Sequence, residues 1–201
     1  MLYGRGLKDT IEPISIREYF YKEGKRKSKT IWNCPYYSKW SHMLKRCYCL
    51  KFLAKYPSYH DCEVCEEWLL FSVFRVWCIA YETANGVSVS DYQLDKDILQ
   101  NSKIYSPESC IFVKNKINSF IIEKVKDKGL PTGVSYNKQR GKFSVYCRNP
   151  FSGKTENLGY ASSPEEGHVT WKGRKLEHVV QFYKNGEVCD EVYKALRERY
   201  T

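Results

Sequence analysis

The stretch from Gly133 to Arg148, GVSYNKQRGKFSVYCR, alternates polar and apolar residues with a period of two. An extended strand satisfies that period and a helix of 3.6 residues per turn does not. With KTENLGYAS following, the pattern predicts three short strands joined by turns at Gln139–Gly141 and Asn149–Gly153. Ser163–Pro164–Glu165–Glu166 then reads as a helix start, an N-cap with proline at the first helical position, and helical spacing continues to about Tyr183. Asn185–Gly186 stops that helix, and Asp190 to Tyr200 makes a last one. Counting by twos puts Tyr136, Lys138, Lys142, Ser144, Tyr146 and Arg148 on one face, opposite Phe143, Val145 and Cys147. One face is basic and aromatic and the other is a core face. A lysine-rich solvent face that discourages edge pairing accounts for part of this pattern. Arg140 and Arg148 beside tyrosines, in place of a plain Lys/Glu mixture, favour binding.

Upstream, residues 1–39 are polar and broken by glycine and proline, with a basic run at Lys25–Arg26–Lys27 and Lys29 that either adds phosphate contacts or is only a solubilising charge run, and read as an extended arm over 1–37. From Ser38 to Cys49, Trp40, Met43, Leu44 and Cys47 fall at helical spacing and predict a buried helix face. A second helix is expected from Val64 to Tyr81, with Glu63, Glu66 and Glu67 complementing its dipole. Past Asn85–Gly86, VSVSDYQLDKDI and IYSPESCIFV read as extended pieces, and a helix is expected from Lys114 to about Lys126. The order is strand, loop, strand, helix. KDKGLPTG is the expected boundary between a unit over 38–126 and one over 131–201.

Thirty-three Lys and Arg against 23 Asp and Glu give a formal charge of +10, which favours polyanionic partners, and seventeen tyrosines add stacking groups. No stretch approaches the ~20 apolar residues that span a bilayer, and MLYGRGLKDT lacks a leader's apolar region, so no membrane partner and a cytoplasmic location are expected. Nine cysteines in a reducing compartment read as free thiols or metal ligands, with no structural disulfide. Cys62-x-x-Cys65 has the bite of a zinc pair, and Cys47 and Cys110 would complete a structural Zn²⁺ set. Cys47-x-Cys49 is one residue short of the usual knuckle spacing, and buried thiols packed among Trp and Phe are the favoured reading.

LYGRG, YYSKWSHMLKRCY, YPSYHDCEVCEEWLLFSVF, LDKDI and YSPESCIFVKNKIN, followed by GVSYNKQRGKFSVYC and LGYASSPEEGHVTW, resemble in order and spacing a known family. It is the HNH-type, homing-endonuclease-like nucleases of bacteriophages, in the branch with an APETALA-type DNA-binding sheet at the C-terminus. The resemblance spans nearly the whole chain. It implies an α+β protein: a ββα-metal core with flanking helices, then a three-stranded antiparallel sheet packed on C-terminal helices. In that core an acidic residue ending the first strand and an Asn or His on the following helix hold one divalent metal, Mg²⁺ or Mn²⁺, against the scissile phosphate. Asp95 falls on the strand ligand and Asn118 on the helix ligand. Lys96 falls on the general-base histidine, because this chain has LDKD where the catalytic pattern has Asp-His. Lysine, with an ordinary pKa of about 10.4, is a poor base at pH 7 unless burial or a nearby cation lowers it, and would otherwise grip a phosphate.

The resemblance implies a metal-dependent DNA endonuclease acting in a bacterial host cell, with Asp95, Lys96 and Asn118 as catalytic residues. Double-stranded DNA would be held by Tyr136, Lys138, Arg140, Lys142, Ser144, Tyr146 and Arg148. The alternative is a DNA-binding protein on the same scaffold that has lost hydrolysis, for which the missing histidine speaks. A third class is an interaction protein that blocks a host factor through its basic surface, which no motif favours.

Overall fold

In the computed structural model, residues 1–100, 102–122 and 129–201 are described. The chain divides into two compact units, Met1–Phe112 and Val113–Thr201.

The first unit opens with a segment expected to be a free arm. Residues 1–12 instead lie against the body of the unit. Leu7 N–H donates to the Leu69 carbonyl at 2.8 Å and the Leu7 carbonyl accepts from Phe71 N–H at 3.0 Å. Gly6 is buried against Trp40 and Leu44, where a Cβ would stand 2.2 Å from Leu44 Cδ1 and 2.8 Å from Trp40 Cζ2. Only a residue without a side chain can approach this closely. Gly6→Ala is therefore expected to destabilise the protein by about 1–3 kcal/mol, the usual cost of overpacking, read as a lower urea midpoint at unchanged m-value. After residue 14 the arm becomes an antiparallel hairpin, β1 (Ser15–Lys22) and β2 (Lys25–Asn33). Glu23 and Gly24, both at positive φ (53° and 70°), form its two-residue turn.

Helix α1 (Pro35–Tyr48) buries Trp40, Met43, Leu44 and Cys47, the face predicted from spacing. Trp40 Nε1–H donates to the Trp68 carbonyl at 2.7 Å, tying α1 to the segment before the next long helix. A short α2 (Leu50–Lys55) follows. The helix expected from Val64 does not start there. Glu63–Val64 is a strand, β3, paired in parallel with β5 (Ile104–Tyr105), and Glu66–Leu69 forms a 3-10 turn. The α-helix, α3, runs Phe71–Asn85. Its start is set from outside: Leu70 at the N-cap supplies no side-chain acceptor, and the Asp9 carboxylate accepts Ser72 N–H at 2.8 Å in its place. Gly86, left-handed at φ 62°, ends the helix. Strand β4 (Tyr92–Asp95) pairs with β6 (Ile111–Lys114), the strand in which the first unit ends.

The second unit holds α4 (Asn115–Ile121), then β7 (Val134–Asn137), β8 (Lys142–Arg148) and β9 (Thr155–Ala161), then α5 (Pro164–Lys184) and α6 (Asp190–Tyr200). Helix α4 stops at Ile121, with Ile122 already extended, short of the expected Lys126; residues 123–128 lie outside the described residues. Phe120 of α4 packs edge-on against Phe182 and Tyr200, at ring distances of 5.2 and 5.7 Å. The two units divide inside β6, between Phe112 and Val113; residues 126–128 of the expected KDKGLPTG boundary lie outside the described residues. The protein is thus mixed α and β, with a three-stranded antiparallel sheet and C-terminal helices. Ser163 caps α5 as its sequence predicts, its Oγ accepting Glu166 N–H at 3.1 Å. No helix among the described residues is long and apolar enough to cross a membrane.

Candidate nucleic-acid interface

Sheet order is β7–β8–β9, with β8 in the centre. Register decides which side chains share a face. Val134 lies opposite Val145, Ser135 opposite Ser144, Tyr136 opposite Phe143 and Asn137 opposite Lys142. Residues directly opposite point the same way, so even-numbered residues of β7 share a face with odd-numbered residues of β8. The reversal at Lys138–Gly141 breaks the count by twos that the sequence invites. Tyr136 therefore stands with Phe143, ring to ring at 5.2 Å, and not with Lys142 and Tyr146 as expected.

The face carrying Val134, Val145 and Cys147 is covered by α5. Gly167 sits so close to Val134 and Val145 that a Cβ there would lie 3.1 Å from each. Glu156, on the same face, takes Arg174 of α5 in a two-pronged ion pair, Nε to Oε2 at 2.7 Å and Nη2 to Oε1 at 2.9 Å. It also accepts from Asn149 at 2.7 Å. These donors pull its carboxyl down to about 2, led by Arg174 and then Asn149.

The opposite face is open. It carries Lys142, Tyr146 and Arg148 from β8 and Tyr160 from β9, all exposed. The Arg140 guanidinium, in the β7–β8 turn, lies 4.9 Å over the Tyr160 ring. Ser144 belongs to this face by register but sits mid-sheet between Ser135 and Tyr160 and is only 3% exposed, so the expected surface donor is buried. Lys138 is exposed in the turn. A bulge shifts the β8–β9 pairing at Val145/Tyr146, with Gly159 at φ 98° and its N–H donating to Asn157 Oδ1 at 2.9 Å. Tyr160 is a residue that sequence reasoning missed; the alternation in LGYAS, paired against β8, is the signal that would have found it. Glu156 is the only carboxylate in the three strands, and it faces the helix. The open face is thus cationic and aromatic with no acid of its own.

Asp95 ends β4, is 7% exposed, and its Oδ1 accepts Asp97 N–H at 2.8 Å and Ile98 N–H at 2.9 Å. It caps its own loop. Burial pushes its carboxyl pKa up, against the lowering by those two donors. Lys96 is 4% exposed, and its ammonium donates to the Asp97 carboxylate and to the Ser102 carbonyl at 2.8 Å. Burial works against its charge, but Asp97 outweighs it and the pKa rises, so Lys96 is protonated at neutral pH. Asn118 is half-buried on α4, in the second unit.

Among the described residues no three His, Cys, Asp or Glu side chains come together to hold a metal ion. All nine cysteines are free thiols. Burial pushes Cys47 and Cys110 up to about 12, so both are protonated and pack as small hydrophobes with Cys62 in the first unit's core. Cys65 is half-buried, next to Glu67 and Glu108. No protein-family model, curated protein or solved structure matches the chain.

Proposed function

We propose that this chain is a DNA-binding protein that holds double-stranded DNA with the open face of β7–β8–β9. The observation that carries the reading is the segregation of charge on that sheet. Every basic and aromatic side chain of the open face is exposed, and the sheet's one carboxylate is turned to α5 and neutralised by Arg174. Two- and three-stranded sheets can enter the major groove, where arginine pairs with guanine and tyrosine packs beside sugar and base. Binding to phosphates releases counterions, so affinity for a duplex is expected to fall with salt at a log–log slope near −0.9 per neutralised phosphate.

The second reading is the phage HNH-type endonuclease with Mg²⁺ or Mn²⁺. The succession β4, β6, α4 supports it, with Asp95 at the end of the first strand and Asn118 on the helix. The enclosure of Lys96 and the capping role of Asp95 support the non-hydrolytic form. A plasmid-nicking assay in Mg²⁺ or Mn²⁺ separates the two. We expect no nicking beyond that of Asp95→Ala purified in parallel; metal-dependent nicking that disappears in Asp95→Ala would establish the nuclease instead. A host-protein partner is the remaining proposal, supported only by the basic surface, and would show as capture of a partner without DNA affinity.

A further inference from the structure

The hairpin β1–β2 has no core. Every residue from Ile16 to Lys22 and from Lys25 to Asn33 is exposed, including Tyr19 (57%), Phe20 (41%), Tyr21 (77%) and Trp32 (41%). A two-stranded ribbon that packs on nothing is marginal in water, and this one is built against its own stability. Pairing is Ile16 with Trp32, Glu18 with Lys29, Phe20 with Lys27 and Lys22 with Lys25 on one face. That face therefore carries four lysines, Lys22, Lys25, Lys27 and Lys29, with Glu18 as its only carboxylate. Lys22 and Lys25 stand directly opposite each other, an arrangement that repels. The other face carries Arg17, Tyr19, Tyr21 and Arg26, and the Arg26 guanidinium lies 4.3 Å over the Tyr19 ring.

Lysines two residues apart on β2 repeat every ~7 Å along the strand. A polyanion laid along that face would relieve the repulsion that the folded hairpin stores. The arginine and tyrosine face has the groups that pack against sugars and base edges, and a two-stranded ribbon fits a major groove ~12 Å wide. An acidic protein surface would match the lysines but gives no reason for the Arg26 guanidinium stacked over Tyr19 on the reverse face.

We infer that the β1–β2 hairpin is a second DNA-binding element, its lysine face gripping the phosphates of duplex DNA. The inference rests on the reading of the chain as a DNA-binding protein, but it can fail alone. The full chain carrying Lys22→Gln, Lys25→Gln, Lys27→Gln and Lys29→Gln together is compared with wild type and with Arg148→Ala. Anisotropy of a labelled duplex of ~25 base pairs is followed across a salt series, since salt dependence counts the phosphates neutralised. The fourfold variant should bind at least ~10-fold more weakly at low salt, with a log–log slope shallower by about 2–4, at roughly 0.9 for each phosphate no longer neutralised. The corresponding Lys→Arg fourfold variant should restore both, which a merely misfolded hairpin would not. Wild-type affinity and slope in the Gln variant, alongside weakened Arg148→Ala, would overturn the hairpin assignment and leave the sheet reading intact. No duplex affinity in any of the proteins would overturn both readings. Binding of the wild type to phosphatidylserine vesicles in place of the duplex, lost in the Gln variant, would overturn the nucleic-acid assignment.

Discussion

Trp40→Ala is expected to lower the melting temperature by roughly 6–20 °C. Trp40 is fully buried, and its ring meets Tyr37 at 5.6 Å and Phe71 at 5.4 Å while Gly6 closes it from the far side. Truncation leaves a cavity where an indole was and removes the Nε1–H that satisfies the Trp68 carbonyl. Loss of a large aromatic from a core costs about 3–5 kcal/mol, a large share of the ~5–15 kcal/mol that holds a domain folded. For a chain of about 200 residues each kcal/mol moves the midpoint by about 2–4 °C. Trp32→Ala is the matched control: its ring is 41% exposed on the hairpin, and removal should stay within about 0.5 kcal/mol. Differential scanning calorimetry decides the matter. A shift of less than about 3 °C for Trp40→Ala would mean that α1 is not anchored through this ring.

Arg148→Ala is expected to weaken binding to a duplex containing the preferred site by about 10- to 100-fold while leaving the thermal midpoint unchanged. Arg148 is exposed at the end of β8, on the face free of carboxylates, so its loss removes a cation and a fork of donors without opening a cavity. A good arginine contact to a base edge is worth about 1–3 kcal/mol, and one to a phosphate lowers the salt slope by about one. The two are told apart by repeating the titration on a scrambled duplex, where only the phosphate interaction persists. Lys194→Ala, on the exposed side of α6, removes the same unit charge elsewhere in the second unit and should change affinity little. Equal affinities for Arg148→Ala and wild type would remove the sheet from the DNA interface and leave the hairpin as the remaining basic element to test.

These expectations depend unequally on what the sequence reveals. Local periodicity was sufficient for α1, whose buried face is read directly from Trp40, Met43, Leu44 and Cys47. It was sufficient also for α6 and for the Ser163 cap, because a cap, its proline and its acidic first turn are contiguous. It was insufficient for α3. Glu63–Val64 has a helix-compatible sequence, and only pairing with Ile104–Tyr105, some forty residues away, makes it a strand.

By itself, then, the sequence determined which segments are strands in the second unit, where α5 and α6 begin and stop, and that the chain is strongly cationic. Each of these depends on neighbours within a turn or on composition. Tertiary structure alone decided that Tyr136 sides with Phe143, since the parity between strands is set by the reversal that joins them. It alone enclosed Lys96 between Asp97 and Ser102 and turned Asp95 into the cap of its own loop, because burial of a charged group depends on what the rest of the chain places around it. It also made an exposed ribbon of the basic run at Lys25–Lys29, whose faces exist only once β1 has paired with β2.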